Sequence, residues 1–500
     1  MMPTEHWLKH HGIHSHLREK NLVQGRLEIP SVAKEPMLTV LDPARDQVIG
    51  LCPNSGPAEV DAAVRSAKAA APLWAGLPAL ERGRTLAQCA ERIQENIEEL
   101  ALLLALETGK ALATECRPEV DSAVAFIHYF AGLAGELKGY TSPSEPGELA
   151  MTIREPVGVV GALLSWNVPL LLLAVKAGAA LAAGNSVVVK SSPHAPFAVL
   201  QGAHLMSQVL PPGVLNLIAG DGHTGMELVR HPDVDVISFT GSCQVGKLVH
   251  QTAAQQLKPV VLELGGNCPM LVLPDTPIDL AVNGAMAAMR FTRMGQSCTA
   301  TSRILVPSAM EQSFVAKLKD RLDSLIIGDP LDEHTQAGSL ISQAQRNLLS
   351  GAIENAAKLP GVKVVRGGQM PQHPELARGF FFQPALVTGL PQDHPLIQEE
   401  WFGPVATITP WDDLDELVDL ANGTGYGLAA SIWTCQLDKP MILAQRLRAG
   451  SVHINQHPPL RPGLSFGGLG RSGIGREASA EAMVEHFTHC KTLSFRFGPH

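Results

Sequence analysis

The chain has 500 residues, of which 45% are hydrophobic, 17% charged and 5% aromatic. This length implies about three domain-sized units, and the apolar content suffices for large cores and excludes wholesale disorder. The formal net charge of −9 comes without any run of Lys or Arg, so neither a nucleic-acid surface nor a polybasic membrane patch is expected.

The first twenty residues contain no apolar core that could serve as a secretory signal. They carry a tract of histidines, namely His6, His10, His11, His14 and His16. The spacing of this tract matches no zinc template, so no metal site is predicted. The eight cysteines of the chain stand singly, without a CxxC pair, which indicates reduced thiols and a cytoplasmic location.

Helical periodicity dominates the next segment. Apolar residues at helical spacing predict two surface helices between residues 57 and 110 and another helix up to about residue 133. The polar stretch 141–147 is typical of a connection or an edge hairpin.

Residues 156–190 are almost wholly apolar, with Lys176 as the one charge before the final lysine. Asn167 and Pro169, and later Gly184, divide the stretch into pieces too short to span a bilayer, so no transmembrane helix is predicted. The pattern instead predicts a strand at 158–164, a helix at 170–183 and a strand at 186–190, which together form a βαβ unit.

The alternation of strands and helices continues beyond this unit. Apolar strands are predicted at 214–220, 234–241 and 258–266, with a helix from Ser242, which favours a doubly wound parallel sheet. A second α/β pattern runs from about residue 269 to 450, with helices at 283–293 and 308–325. Its predicted strands are RILV, GFFFQPALVTG, PVATITPW and GLAASIWT. The predicted fold class is therefore α/β.

Two glycine-rich turns could bind a phosphate. GDGHTG (220–225) fits GxGxxG after a strand, but no acid follows at the distance that a dinucleotide fold requires. The segment 241–246 is a better candidate, because a strand there leads into a helix whose first N–H groups are free and Ser242 adds a hydroxyl.

Three residues have side chains that suit nucleophilic acyl chemistry. Cys298 lies in GQSCTA, Glu263 is an acid inside an apolar strand, and Asn167 is an amide inside an apolar run. A thiolate, a base with a raised pKa and an oxyanion donor are what such chemistry requires. Taken singly, each residue is more readily explained as structural: a buried thiol, a paired Glu or a capping Asn.

Eight segments in order show that the chain resembles the NAD(P)-dependent aldehyde dehydrogenase superfamily from about residue 37 to 495. They are SWNVP (165–169), GNSVVVK (184–190), FTGSxxVG (239–246), LELGGN (262–267), GQSCTA (295–300), EEWFGPV (399–405), YGLAA (426–430) and FGGLGRSGIGRE (466–477). The resemblance implies that Cys298 attacks the aldehyde, while Asn167 and the Cys298 backbone N–H hold the oxyanion. It further implies that Glu263 activates water and that Lys176 relays a proton, with Glu477 as a weaker relay candidate.

The same resemblance implies a cofactor, NAD or NADP, and the residues that bind it. Lys190 would meet the adenine ribose, Glu400 the nicotinamide ribose, and Phe402 would pack nearby. The remaining implied cofactor residues are Trp166, Gly222, Gly241, Ser242, Gly246, Leu264 and Gly265.

The family architecture implies a Rossmann-type cofactor domain, an α/β catalytic domain and a small β oligomerisation arm. We expect the cofactor domain at 1–133 and 151–264, the catalytic domain at 265–470, and the arm at 134–150 and 480–500. The arm implies a homodimer or homotetramer. The family resemblance implies an aldehyde as the small-molecule partner. Neither a nucleic-acid partner nor a membrane partner is expected.

Residues at the tunnel positions of relatives predict an apolar pocket for neutral aliphatic or aromatic aldehydes. These residues are Val168, Leu171, Leu172, Val175 and Thr292. The loop before FGG contains no Trp, so an aromatic cage for a trimethylammonium group is not expected. Two alternatives remain: a semialdehyde dehydrogenase in which Arg461 receives a substrate carboxylate, and a non-catalytic protein on the same scaffold.

The chain departs from the family at Pro193, where relatives carry an acid that accepts hydrogen bonds from the adenine ribose. Without this carboxylate the 2′-phosphate of NADP meets no repulsion, so use of both NAD and NADP is predicted.

Overall fold

The computed structural model describes residues 19–29, 36–458 and 460–498, so the predicted histidine tract lies outside the described residues. The strands of the N-terminal half are β1 (Asn21–Val23), β2 (Arg26–Glu28), β3 (Leu38–Asp42), β4 (Gln47–Cys52), β5 (Thr141–Ser142), β6 (Glu148–Pro156), β7 (Val159–Leu163), β8 (Ser186–Ser191), β9 (Leu215–Ala219), β10 (Val236–Thr240) and β11 (Val260–Glu263). Those that follow are β12 (Pro269–Val272), β13 (Arg303–Pro307), β14 (Lys363–Arg366), β15 (Ala385–Thr388), β16 (Val405–Trp411), β17 (Ala429–Trp433), β18 (Ser451–Ile454), β19 (Gly473–Ile474) and β20 (Thr488–Arg496).

The α-helices connect and cover these strands. The first eight are α1 (Pro57–Ala75), α2 (Ala79–Gln94), α3 (Ile97–Thr108), α4 (Arg117–Leu133), α5 (Pro169–Ala182), α6 (Phe197–Ser207), α7 (Gly222–Arg230) and α8 (Cys243–Ala254). The others are α9 (Ile278–Ala288), α10 (Glu311–Asp323), α11 (Gln343–Ala356), α12 (Pro395–Gln398), α13 (Leu414–Asn422), α14 (Asp438–Arg446) and α15 (Ala480–Phe487). A π-helical turn, Leu112–Cys116, precedes α4.

An eight-stranded sheet has the order β19-β11-β10-β7-β8-β9-β1-β2. Its five central strands are parallel, and the edge strands pair antiparallel. The predicted βαβ unit is confirmed as β7, α5 and β8, and every residue of these three elements is buried. Because β8 and β10 flank β7 on opposite sides, the carboxyl end of β7 is a topological switch point, where a ligand crevice forms in sheets of this type.

A seven-stranded sheet has the order β14-β15-β16-β13-β12-β17-β18, parallel except for β14. Three of its four predicted strand segments are confirmed as β13, β16 and β17. The fourth, GFFFQPALVTG, forms a strand only at β15. Phe380, Phe381 and Phe382 enter the hydrophobic core as irregular chain instead.

A three-stranded sheet has the order β20-β6-β5, and β6 pairs with β20 from Pro156 to Glu148. This sheet holds part of the predicted arm, but β6 extends past residue 150 and residues 480–487 are helical. The boundaries proposed for the three domains remain a prediction.

The helix predictions need two corrections. Residues 57–110 form three helices because the chain turns at Glu95 and Asn96, where the predicted second helix is divided. Residues 283–293 are only partly α-helical, since α9 ends at Ala288 and a 3-10 turn occupies 291–293. Within the described part of the chain, no helix combines the length and the apolar character needed to cross a membrane.

Candidate active site

A cavity of about 510 Å³ lies where loops from the two large sheets meet. Cys298, Glu263 and Asn167 all line it, so three of the four predicted catalytic residues share one space. Lys176 is buried behind the wall and does not line the cavity, whereas Glu477 does.

Cys298 lies on a tight loop that other backbone segments approach closely. Gly295 has a φ of +63°, and a Cβ built there would overlap the Gly403 carbonyl. A Cβ on Gly266 would likewise overlap the Cys298 carbonyl oxygen. Burial raises the pKa of the Cys298 thiol, as do Glu400, Cys268 and Glu263, while Arg293 opposes them.

Asn167 follows β7 and points its amide towards the loop that carries the cysteine. Ser165 Oγ donates to Asn167 Oδ1 at 2.6 Å, which orients the amide nitrogen. Asn167 Nδ2 then donates to the Gln296 carbonyl at 3.3 Å. Lys110 Nζ donates to the Asn167 carbonyl at 2.9 Å. The amide is thus held as a hydrogen-bond donor in the cavity that Cys298 also lines, as an oxyanion site requires.

Lys110 forms a buried ion pair with Glu119, and through its bond to the Asn167 carbonyl this pair contacts the loop after β7. The Glu119 carboxylate also accepts a hydrogen bond from the backbone N–H of Leu170 at 3.0 Å, in the first turn of α5. The sequence analysis did not predict this ion pair. A Lys and a Glu in neighbouring apolar segments could have indicated it, because buried charges are usually paired.

Glu263 ends β11 and is 3% exposed. Neither of its carboxylate oxygens has a hydrogen-bonding partner among the residues described. Burial raises the pKa of Glu263 well above its usual range, Glu477 raises it further, and Lys176 and Arg476 oppose the shift. A Cβ on Gly467 would lie 2.9 Å from Glu263 Oε1, so the glycine leaves the space beside this carboxyl open. The group is suited to accept a proton from water.

Lys176, Glu477 and Ser238 form a buried network behind Glu263. Lys176 Nζ is ion-paired with Glu477 and donates to Ser238 Oγ at 2.9 Å. Ser238 Oγ donates to Glu477 Oε1, also at 2.9 Å. Glu477 therefore stands between Lys176 and the cavity, so a proton relay from Glu263 would reach Glu477 first.

Glu115, in the π-helical turn, contacts the loop before Cys298. Its carboxylate accepts from Arg293 Nε at 2.7 Å and from Thr292 Oγ1 at 2.5 Å. Burial alone would raise the pKa of Glu115, but Arg293 and the hydrogen bonds outweigh it and lower the pKa. The prediction that Thr292 lines an apolar tunnel is wrong, because its hydroxyl is engaged by this carboxylate and it does not line the cavity.

Seven predicted cofactor residues line the same cavity. They are Trp166, Gly241, Ser242, Leu264, Gly265, Glu400 and Phe402. The Trp166 and Phe402 rings make an edge contact with centroids 5.4 Å apart. The Gly266 N–H donates to Glu400 at 3.1 Å, and burial raises the pKa of Glu400 to about 7. A Cβ on Gly265 would overlap this carboxylate.

Ser242 caps α8 by accepting from the Val245 N–H at 3.3 Å. The N-terminus of this helix offers free N–H donors to the phosphates of a dinucleotide. The glycines in the wall beside it have no side chains, so the backbone there can approach those phosphates closely. Three other predicted cofactor residues, Lys190, Gly222 and Gly246, do not line this cavity. Gly246 packs under the Leu264 side chain, and burial lowers the pKa of Lys190 to about 8. Their contacts with a cofactor remain a prediction.

Comparison with known proteins identifies the class. The model of the aldehyde dehydrogenase family matches residues 31–493, so the chain belongs to that family, as the sequence motifs predict. A betaine aldehyde dehydrogenase of Bacillus subtilis is 37% identical over 461 residues, which cover 91% of this chain and 94% of the relative. A 4-trimethylaminobutyraldehyde dehydrogenase B of Danio rerio is 36% identical over 462 residues, covering 92% of this chain and 88% of the relative.

Solved structures agree with this assignment. A betaine aldehyde dehydrogenase of Staphylococcus aureus in complex with NAD+ superposes with a TM-score of 0.94 at 32% identity, covering 99% of this chain and 98% of that one. PnpE of Pseudomonas sp. WBC-3 gives a TM-score of 0.92 at 36% identity, covering 97% and 98%. The chain therefore has the aldehyde dehydrogenase fold and is an NAD(P)-dependent aldehyde dehydrogenase.

Proposed function

We propose that this enzyme oxidises its aldehyde through a covalent intermediate on Cys298 and releases a carboxylic acid by hydrolysis. The observation that carries the proposal is the convergence of Cys298, Asn167 and Glu263 on one cavity. The balanced reaction is aldehyde plus water plus NAD(P)+ giving carboxylate, NAD(P)H and two protons.

In the first half-reaction, Cys298 Sγ releases its proton to solvent, as one of the two protons of the balanced reaction, and adds to the aldehyde carbon. Asn167 Nδ2 and the Cys298 backbone N–H donate to the oxygen as it becomes an oxyanion. Bound NAD(P)+ supplies the hydride acceptor, and the group left on Cys298 is a thioester. The Ser165 hydroxyl and Lys110 hold Asn167 in place for this task.

In the second half-reaction, Glu263 takes a proton from water as the water oxygen adds to the thioester carbon. The Cys298–acyl bond then breaks, the thiolate is released and the carboxylic acid leaves. Glu263 is suited to this step because burial raises its pKa and no described group occupies its oxygens. Glu477 and Lys176 are the proposed onward path for the proton.

Two variants test the assignment. Cys298→Ser should abolish NADH formation, because serine lacks an ionisable thiol, whereas the exposed Cys435→Ser should retain it. Glu263→Gln should give one burst of NADH per active site and then stall, because acyl transfer precedes hydrolysis. Turnover of Glu263→Gln at the rate of the unmodified enzyme would contradict the proposal.

An acyl transfer to coenzyme A is the competing possibility for the second half-reaction. The presence of a base at Glu263 favours water as the acceptor, so turnover should not depend on added coenzyme A. The non-catalytic alternative loses support because nucleophile, amide donor and base all line the cavity.

The cavity lining and the relatives both bear on the class of aldehyde that is the substrate. Val168, Leu171 and Leu172 line the cavity, but Val175 does not, so the apolar tunnel is less complete than predicted. The neutral aldehydes expected from the sequence find no support in the names of the Bacillus subtilis and Danio rerio relatives, which are named for trimethylammonium aldehydes. A quaternary-ammonium aldehyde is therefore the candidate that the relatives favour. A comparison of kcat/KM for betaine aldehyde and hexanal tests these two classes.

The assembly and its location are further parts of the proposal. β20 is an edge strand whose residues are mostly exposed, including Phe495, and an open edge of this length is suited to pairing with another subunit. We therefore expect a homodimer or homotetramer.

All eight cysteines are free thiols, which accords with the reducing cytoplasm predicted from their spacing.

A further inference from the structure

Asn267 lies in the loop between β11 and β12 and is 2% exposed. Its amide nitrogen carries two hydrogens, and each of them meets a backbone carbonyl. Nδ2 donates to the Ile397 carbonyl at 2.6 Å and to the Glu399 carbonyl at 3.2 Å. Both carbonyls lie at the end of α12, where helical carbonyls have no partners within the helix. The side chain therefore binds the short segment 397–400, which ends at Glu400.

The same amide also contacts the chain that follows the nucleophile. Ser302, four residues after Cys298, donates from Oγ to Asn267 Oδ1 at 2.7 Å. This bond fixes which side of the amide is the acceptor, so the nitrogen faces the two carbonyls. Arg303 Nε donates to the Asn267 carbonyl at 2.9 Å and holds the backbone as well. Asn267 thus joins the segment after Cys298 to the segment before Glu400.

The position of Glu400 depends on the residues around it. Its carboxylate accepts a hydrogen bond from the Gly266 N–H at 3.1 Å, and a Cβ built on Gly265 would lie 1.8 Å from its Oε2. Two residues further on, Phe402 has a φ of +49°, which a non-glycine residue adopts only where surrounding contacts offset the cost. Once those contacts are weakened, the segment can relax, and Glu400 and Phe402 move with it.

We infer that Asn267 is a positioning residue for the cofactor: it holds residues 397–400 so that Glu400 meets the nicotinamide ribose at a fixed place relative to Cys298. The inference rests on the proposed function and on the predicted contact of Glu400 with this ribose. Asn267 does not line the cavity, so it acts through Glu400. Hydride transfer needs donor and acceptor at a short, fixed separation, so a displaced ribose slows the transfer as well as weakening binding.

Asn267→Ala removes both donors to the segment. We expect the Kd for NAD, measured by calorimetric titration, to rise by about tenfold, and the NADH burst at saturating NAD to slow by about tenfold. AMP contains the adenine ribose but no nicotinamide ribose, so its Kd should change by less than about twofold. Alkylation of Cys298 by iodoacetamide without cofactor should keep its rate, because the hydrogen bonds of the Asn267 side chain do not involve Cys298.

A double-mutant cycle with Glu400→Ala tests whether the effect passes through Glu400. In the Glu400→Ala background, Asn267→Ala has no carboxylate left to position. It should then change the Kd for NAD by less than about twofold, whereas independent effects would multiply.

Asn185→Ala is the matched control, because Asn185 is also buried and its amide also makes three hydrogen bonds. They are with the Ala180 carbonyl at 3.0 Å, the Phe487 carbonyl at 2.9 Å and the Gly158 N–H at 2.9 Å. Asn185 precedes β8, at the amino ends of the parallel strands, whereas the cavity lies at their carboxyl ends. Asn185→Ala should lose stability in denaturant unfolding, as Asn267→Ala does, and keep the Kd for NAD.

Ser302→Ala is a second variant for the case in which Asn267→Ala does not fold. It removes only the bond that orients the amide, so the Kd for NAD should rise by about threefold while the Kd for AMP stays unchanged. If Asn267→Ala does not fold, an unchanged Kd for NAD in Ser302→Ala overturns the inference.

Other results would also overturn the inference. They are an unchanged Kd for NAD in Asn267→Ala, an equal rise in Asn185→Ala, and effects that multiply in the cycle. Equal weakening of AMP binding, or equally slowed alkylation of Cys298, would place the effect on the cofactor domain or on the nucleophile loop instead. Absence of NADH with every aldehyde, together with the expected weakening of NAD binding, would contradict the proposed function and still support the inference.

Discussion

Glu115 holds Thr292 and Arg293 through one carboxylate, and so joins the π-helical turn at 112–116 to the turn that precedes Cys298. Both residues that flank this second turn, Arg290 and Met294, have positive φ angles of +55° and +53°. Non-glycine residues adopt such angles at a cost that surrounding contacts must offset. The ion pair between Glu115 and Arg293 is therefore placed to hold a strained loop that carries the nucleophile.

Removing Glu115 should destabilise the protein. Glu115→Ala leaves the Arg293 guanidinium buried without its partner, which costs about 3 kcal/mol of unfolding free energy. Arg293→Met combined with Glu115→Ala should recover most of that loss, because no charge then remains unpaired. Denaturant unfolding of the single and double variants measures both values. Equal stability of Glu115→Ala and the unmodified protein would show that the pair does not hold the loop.

The pH dependence of turnover should follow Glu263, because the base must be deprotonated to accept a proton from water. Because the pKa of Glu263 is raised, the midpoint of the increase of kcat with pH should lie above the usual pKa range of a carboxyl group. Glu477 raises this pKa and Lys176 lowers it. Glu477→Gln should therefore move the midpoint of the kcat–pH profile down, and Lys176→Met should move it up. The initial NADH burst, which precedes the Glu263 step, is the internal control. Shifts of both variants in one direction would contradict the assignment of the midpoint to Glu263.

Close backbone approach at Gly266 predicts a selective loss of activity. A Cβ at this position would overlap the Cys298 carbonyl oxygen, and backbone cannot move aside as a flexible side chain can. Gly266→Ala should therefore displace the nucleophile and lower the rate of the burst by about a hundredfold, as misplacement of a reacting atom does. Gly351→Ala is the matched control, because its Cβ meets nothing within 4 Å and alanine favours the helix. A burst of normal rate in Gly266→Ala would show that the loop adjusts freely.

Pro193 should govern the choice between NAD and NADP. A carboxylate at this position would repel the 2′-phosphate, so Pro193→Glu is expected to shift the ratio of kcat/KM values towards NAD by about tenfold. Burial, and Lys190 after it, lower the pKa of the adjacent His194, so this histidine adds no charge near neutral pH. Steady-state kinetics with both cofactors provides the measurement. Rejection of NADP by the unmodified enzyme would show that another group discriminates.

The sequence by itself determined the family, the α/β class and the central βαβ unit. These features depend on local signals: the order of short motifs, the apolar runs of buried parallel strands, and the glycines that end them. Cys298, Glu263 and Asn167 could be singled out for the same reason, since each is a chemically distinctive residue in an apolar or glycine-rich segment. In the structure these three residues line one cavity, which is consistent with their selection as catalytic candidates.

Only the tertiary structure decided which side chains meet across long stretches of chain. Glu115 and Arg293 are separated by 178 positions, and no local pattern pairs them. Thr292 occupies a predicted tunnel position, yet its hydroxyl turns to Glu115 because a buried carboxylate nearby needs donors.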